Sequence, residues 1–134
     1  MKFTRLFTED KLDVYNKLKF KTTSSEIKNP DGTIVFSAPE IEVPENYSQV
    51  AADVIAQKYF RKAGVPSYLK KVKESNVPEW LSRSEPDESK LETIPEDERF
   101  GAETSAKQVF NRLAGTWTYW GWKGGYFSSE KDAK

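Results

Sequence analysis

Residues 26–36, EIKNPDGTIVF, contain the strongest local folding signal in the first half of the chain. The proline presets the backbone for the first central position of a turn, and the Asp-Gly pair that follows completes the turn. The flanking residues 26–28 and 33–36 are therefore predicted to pair as a β-hairpin. Because a lone hairpin is marginally stable in water, we expect this one to pack against another element.

Two more extended segments lie on either side of this turn. Residues 17–22 alternate lysines with less polar side chains, and residues 40–43 alternate glutamate with isoleucine and valine. A period of two residues is typical of a strand with one buried face. Residues 1–44 are therefore predicted to form an N-terminal segment with a small hairpin or meander.

Two segments have the spacing of amphipathic helices. The first covers residues 45–63, where Pro44 precedes the helix and Gly64 follows it. The second begins at Thr104, a good capping residue, and ends at Gly124 and the glycine after it. We expect these helices to pack on each other, and we predict a shorter helix at residues 67–74.

Together these elements predict an α+β fold that is mainly helical, with a small N-terminal β-hairpin or meander followed by packed helices. Residues 45–134 would form the helical domain. Within it, residues 82–101 are predicted to be a polar loop, because residues 85–103 hold eight acidic residues against one lysine and one arginine.

The composition excludes several kinds of chemistry. None of the 134 residues is cysteine and none is histidine. Disulfides, thiolate metal sites and thiol nucleophiles are therefore excluded, as are Ser-His-Asp and Cys-His arrangements and imidazole metal sites. We accordingly assign no catalytic, no cofactor-binding and no metal-binding residue to this chain.

The charge and hydropathy point to no particular surface as a partner. With 21 basic and 21 acidic residues, the whole-chain charge favours neither nucleic acid nor a membrane. No apolar run approaches the roughly 20 residues that cross a bilayer. The start of the chain lacks the apolar stretch of a secretory signal, so the cytoplasm is the expected compartment.

Aromatic residues dominate the end of the chain, with three of the four tryptophans at residues 117–122. Helical spacing puts Trp117 and Trp120 on one stripe with Val109, which favours burial in a core. The other aromatic residues point elsewhere, and a fold with few aliphatic residues cannot easily bury both sets. Core packing and an interface with another domain both stay open. The candidate interdomain contacts are Trp117, Trp120, Trp122, Tyr126 and Phe127.

Residues 58–73 contain six basic residues and no acidic one. As a phosphate-facing patch beside the tryptophans, they suggest an alternative function: a stand-alone interaction module or a module that binds single-stranded nucleic acid. A solvated face balanced by the acidic segment that follows is favoured over this alternative, because no groove-reading motif accompanies the patch.

The last seven residues begin like a helix. Ser129 and Asp132 have the spacing of a capping box, but the single turn that follows is too short to be stable alone. This pattern predicts that the chain is the front part of a longer polypeptide.

Five segments carry a family likeness: residues 29–32 (NPDG), 41–44 (IEVP), 57–66 (QKYFRKAGVP), 101–110 (GAETSAKQVF) and 112–121 (RLAGTWTYWG). They resemble the amino-terminal region of adenosylcobalamin-dependent (class II) ribonucleotide reductases. The likeness extends over residues 27–133, and its final motif is long and unusual, so the match is specific.

The resemblance implies an enzyme far longer than this chain, which reduces ribonucleoside diphosphates to deoxyribonucleotides for DNA synthesis. In the family, adenosylcobalamin generates a thiyl radical on a cysteine inside an α/β barrel, and further cysteines and a dithiol reductant supply electrons. Because this chain has no cysteine, no catalytic, substrate or cobalamin residue carries over to it.

The role that does carry over is that of an amino-terminal domain that packs against the barrel and is silent by itself. On this interpretation, the aromatic residues at the end of the chain contact the barrel or the core. A third interpretation, a separate subunit or regulator of the reductase, differs only in whether the coding sequence ends at Lys134.

Overall fold

A computed structural model describes residues 1–10 and 12–134. Its strands are β1 Phe20–Lys28, β2 Ile34–Pro44, β3 Val65–Pro66, β4 Leu69–Lys71, β5 Ser84–Pro86 and β6 Phe100–Gly101. Its α-helices are α1 Gln49–Val54, α2 Glu88–Leu91, α3 Ala106–Lys123 and α4 Glu130–Ala133. A π-helical turn, Ile55–Tyr59, continues α1, and short 3-10 turns cover Val14–Lys17, Glu79–Leu81 and Glu96–Glu98.

The chain divides into two compact units, each built from segments that are distant in sequence. The hairpin unit consists of Phe7–Lys62 and Ala102–Phe110. The tryptophan unit consists of Met1–Leu6, Ala63–Gly101 and Asn111–Lys134. The start of α3 therefore belongs to the hairpin unit and the rest of that helix to the tryptophan unit.

The predicted hairpin is confirmed, and it is longer than its turn-proximal residues indicated. β1 and β2 are antiparallel and pair from Lys28 opposite Ile34 to Phe20 opposite Pro44. In the turn, Gly32 has a φ of 86°, a left-handed conformation that glycine adopts without strain. Residues 20–22 and 40–43 of the two alternating segments form the open end of this one hairpin.

The buried hydrophobic side chains of the hairpin unit come from β2, from α1 with its π-helical turn and the residue after it, and from the start of α3. They are Ile41, Val43, Ala52, Ile55, Ala56, Phe60, Ala106 and Val109. The first predicted helix is shorter than residues 45–63. Its α-helical part begins after Ser48, whose hydroxyl accepts a hydrogen bond from the Ala51 N–H at 3.2 Å.

Helix α3 begins with a capping box one residue later than the predicted cap at Thr104. The Ser105 hydroxyl accepts the Lys107 N–H at 3.2 Å, and the Gln108 side-chain oxygen accepts the Ser105 N–H at 3.0 Å. These reciprocal bonds occupy donors that a helix start otherwise leaves open. The second predicted helix is therefore confirmed, with its start shifted slightly along the chain.

Short strand pairs replace the helix predicted at residues 67–74, and that prediction is wrong. In the tryptophan unit, β3 pairs with β6 and β4 pairs with β5, both antiparallel. Pairing with distant residues satisfies backbone groups that a very short helix would leave open at both ends. Residues 82–101, predicted as a polar loop, include β5, α2 and β6, and their Leu91 is buried.

The expectation of a mainly helical fold is also wrong. Helical turns of all types hold 35% of the residues and strands hold 23%, in several small antiparallel sheets. The broader α+β class fits loosely. Helix was overestimated because residues 67–74 contain the strand β4 and no helix, and because α1 starts late, after the chain has left the hairpin.

Candidate interaction surface

The C-terminal end of α3 stops in a Schellman motif that determines where the following aromatic residues lie. The Gly125 N–H donates to the Trp122 carbonyl at 3.0 Å, and the Tyr126 N–H donates to the Gly121 carbonyl at 2.9 Å. Gly125 has a φ of 71°, which is the left-handed conformation that this motif requires. The Tyr126 ring then lies over Gly124, where an added Cβ would come within 2.9 Å of it.

Three of the five candidate contact residues are open to solvent. Trp117, Trp120 and Tyr126 are 63%, 64% and 62% exposed, and we call them the aromatic face. Along α3 the same apolar stripe starts at Val109, which is only 2% exposed. The stripe is thus covered at the beginning of the helix and open at its end, which favours an interface over core packing for Trp117 and Trp120.

The other two candidates are held within the tryptophan unit. The Trp122 indole N–H donates to the Asn76 carbonyl at 2.7 Å. The Phe127 ring packs on the Phe3 ring with centroids 5.7 Å apart, and it fills the space beside Gly121. These two side chains therefore support the end of α3 instead of extending its exposed surface.

Tyr119, to which no sequence pattern assigns a role, attaches α3 to residues 74–83. Its hydroxyl donates to the Glu74 carboxylate at 2.6 Å, and the Arg83 Nε lies 3.6 Å from the same carboxylate. The Tyr119 hydrogen bond lowers the pKa of Glu74, and the same bond raises the pKa of Tyr119. No periodic pattern in the sequence marks this pair.

Two glycines near the aromatic face should respond to alanine with opposite signs. Gly125→Ala should destabilise the tryptophan unit by about 1 kcal/mol, because a Cβ disfavours a left-handed φ. Gly115→Ala should stabilise it by about 0.5–1 kcal/mol, since the position is helical and open and alanine is the better helix former. Urea unfolding followed by circular dichroism measures the change in the free energy of unfolding for both variants. A change of the same sign in the two variants would contradict the Schellman motif.

The six basic residues of segment 58–73 are divided between the two compact units. Lys58, Arg61 and Lys62 belong to the hairpin unit, and the other three belong to the tryptophan unit. Several are already engaged within the chain. Lys71 donates to the Ser82 carbonyl at 2.8 Å, Lys70 lies 3.4 Å from Glu85, and Lys62 donates to the Ala56 carbonyl.

A half-buried polar cluster connects β2 to the start of α3 within the hairpin unit, and we call Glu42, Ser105 and Lys107 the Glu42 cluster. The Glu42 carboxylate accepts from the Ser105 hydroxyl at 2.5 Å and from the Lys107 ammonium at 2.9 Å. The ammonium also lies 4.2 Å from the centre of the Phe20 ring. The Ser105 bond, and after it the Lys107 bond, lowers the pKa of Glu42.

We expect the Glu42 cluster to make the hairpin unit sensitive to acid. A carboxylate whose pKa is lowered on folding stabilises the folded state above its usual pKa, here 4.5, and this stabilisation is lost as the pH falls through the lowered value. Glu42→Gln should remove this part of the acid sensitivity, whereas Glu40→Gln on the same strand should keep it. Urea unfolding at a series of pH values gives the free energy of unfolding of each variant as a function of pH. Identical pH dependence for wild type and Glu42→Gln would show that Glu42 does not cause the acid sensitivity.

A groove of about 720 Å³ lies in the hairpin unit. Its walls are residues 35–41 of β2 on one side and residues 102–104 on the other, with Ala56, Phe60, Arg61 and Lys62 completing it. Residues 61 and 103 hold the second wall together: the Arg61 N–H donates to the buried Glu103 carboxylate, and the Glu103 N–H donates to the Arg61 carbonyl, both at 2.9 Å. Burial lowers the pKa of Lys62, whose ammonium lies 4.2 Å from the centre of the Phe36 ring.

Over residues 1–10 and 12–134, no group of three or more acidic residues is arranged to hold a metal ion. Within the same residues, no helix is both long enough and apolar enough to cross a membrane. What the chain presents is an exposed aromatic face on one unit and a groove on the other.

Comparison with known proteins gives consistent matches. The family model described as class II vitamin B12-dependent ribonucleotide reductase matches residues 21–134. The chain is 59% identical over 133 residues to the vitamin B12-dependent ribonucleotide reductase of Agrobacterium fabrum, covering 99% of the chain and 10% of that protein. It is 56% identical over 134 residues to the protein of the same name from Bradyrhizobium diazoefficiens, covering 100% and 11%. The chain thus spans about a tenth of the length of these curated relatives.

Proposed function

Because the chain belongs to the family of class II vitamin B12-dependent ribonucleotide reductases, we propose that residues 1–134 are the amino-terminal, non-catalytic domain of such an enzyme. The domain supports the enzyme by docking on its remaining polypeptide. The observation that carries this proposal is the aromatic face, where two tryptophans stay more than 60% exposed on a well-formed helix. Large aromatic side chains of this kind are typical anchors of protein interfaces.

The longer enzyme, on this proposal, reduces ribonucleoside diphosphates to deoxyribonucleotides for DNA synthesis. Adenosylcobalamin supplies the radical chemistry when bound, and a dithiol supplies the electrons. Dithiol chemistry requires a reducing compartment, so the cytoplasm is the location that we propose. The α/β barrel of the remaining polypeptide is the partner of the aromatic face.

The residues of this chain do not fit a cobalamin site of their own. The groove in the hairpin unit has the volume of a site for a drug-sized molecule, whereas adenosylcobalamin is larger than such molecules. The chain also has no histidine that could bind cobalt. On this proposal, residues 1–134 take no direct part in the radical reaction.

The alternative function, binding of single-stranded nucleic acid, has weaker support. It requires the basic segment and the tryptophans to contact the same single strand of nucleic acid. Three lysines of that segment are engaged inside the chain, with Ala56, Ser82 and Glu85. Lysines that are engaged within the chain are less available to phosphates, so the exposed tryptophans favour a protein partner.

Two measurements on the purified chain test the proposal. Incubated with ribonucleoside diphosphate, adenosylcobalamin and a dithiol, the chain should show no turnover, but it should bind the separately produced remainder of the reductase. Single-stranded DNA should leave tryptophan fluorescence unchanged. Turnover by the chain alone, or salt-sensitive quenching by DNA without binding to the remainder, would overturn the docking role.

A further inference from the structure

We propose that the groove of the hairpin unit binds a short extended segment of the same reductase polypeptide from outside residues 1–134. The segment adds to the open edge of β2 as a further strand and places a carboxylate on Arg61. This inference rests on the proposed function, because it requires the chain to be part of the longer enzyme. It concerns a surface on a different unit from the aromatic face.

The outer edge of β2 already accepts a strand at one end. The Glu42 N–H donates to the Thr104 carbonyl at 2.8 Å, and residues 42 and 105 form a parallel bridge. Residue 103, directly before Thr104 in the chain, does not continue this pairing with β2. Its N–H donates to the Arg61 carbonyl instead. Residues 35–41 of β2 therefore face the groove, and an unpaired strand edge is a template for adding another strand.

The groove has an apolar floor and one available cation. Ala56 and Phe60 are buried, and Phe36 is half-buried. The Lys62 ammonium is already bonded to the Ala56 carbonyl. In the part of the chain that the structure describes, the exposed Arg61 guanidinium has no ion pair or hydrogen bond, so a carboxylate of the incoming segment is its natural partner.

The size of the edge explains why the occupant should come from the same polypeptide. Pro39 lacks an N–H and limits regular pairing on this edge to residues 35–38, a length of about 13 Å. A strand of about four residues forms few hydrogen bonds, and its affinity as a free peptide would be low. Tethering raises the effective concentration to about the millimolar range, which compensates for low affinity. The relatives are about ten times longer than this chain, so most of the polypeptide is available for that purpose.

Photo-crosslinking in the full reductase polypeptide tests the assignment. A benzoylphenylalanine at Ser37, which is exposed in the groove, should crosslink to one segment outside residues 1–134 of the same polypeptide. The same group at Thr22, exposed on β1 away from the groove lining, is the matched control. Crosslinks from Ser37 to a second copy or to another protein would overturn the proposal, and so would a yield no higher than from Thr22.

A charge reversal tests the predicted carboxylate. Arg61→Glu should lower the Ser37 crosslink yield by about fivefold or more, Arg61→Lys should largely preserve it, and Lys58→Glu should leave it unchanged. Lys58 is exposed and lies outside the groove lining, so it controls for net charge. Equal losses in Arg61→Glu and Lys58→Glu would reject the Arg61 contact. If instead the purified chain fails to bind the remainder at all, the proposed function itself fails.

Discussion

Replacing Ile41 by alanine should lower the free energy of unfolding of the hairpin unit by about 2–5 kcal/mol. Ile41 is 1% exposed and is among the largest fully buried side chains. It pairs with Thr23 across the hairpin and is followed directly by Glu42 of the Glu42 cluster. Removal of its outer carbons leaves a cavity that neighbouring strands cannot close without moving the cluster.

Ile34→Ala is the matched control for this prediction. Ile34 is the same residue type on the same strand, but it is 57% exposed, so its truncation should change stability by less than about 0.5 kcal/mol. Urea unfolding monitored by circular dichroism compares the two variants. Similar losses for both would mean that the core of the hairpin unit does not lie at Ile41.

Replacing both Trp117 and Trp120 by serine should weaken binding of the chain to the remainder of the reductase by about 100-fold or more. Buried tryptophans at interfaces commonly contribute more than about 2 kcal/mol each, and these two are i and i+3 neighbours that can enter one pocket. The stability of the isolated chain should change little, because both side chains are already exposed.

Isothermal titration of the double variant against the separately produced remainder measures this effect. Phe7→Ser is the control, because Phe7 is an aromatic side chain that is 94% exposed and lies outside the aromatic face. Unfolding measurements on both variants confirm that the chain is intact. Full affinity in the double variant would contradict the docking role of the aromatic face, whereas a large loss of stability would show that the tryptophans belong to the core.

Local patterns predicted several elements well, because short-range interactions determine them. The turn at residues 29–32 depends on one proline and on one glycine with a left-handed φ. The start of α3 depends on a cap and a glutamine three residues later, and its end depends on Gly125. The absence of thiol and imidazole follows directly from composition.

Other features depended on residues far away in the chain and were missed. The Glu42 cluster joins residues 63 and 65 positions apart, and the Tyr119–Glu74 bond joins residues 45 positions apart. The groove exists because residues 61 and 103 are hydrogen-bonded beside β2. Neither periodicity nor capping rules contain information on such pairs.

The sequence by itself determined the turn of the hairpin, the end of the long helix, the excluded chemistry and the family likeness, since each rests on neighbouring residues or on composition. The tertiary structure alone decided that residues 65–66 and 69–71 form strands, because their backbone groups pair with residues 100–101 and 84–86 instead of forming a helical turn. The tertiary structure also decided which part of the apolar stripe along α3 is buried. Val109 is buried and Trp117 is open because burial depends on what packs against a helix, and helical spacing alone specifies only the face.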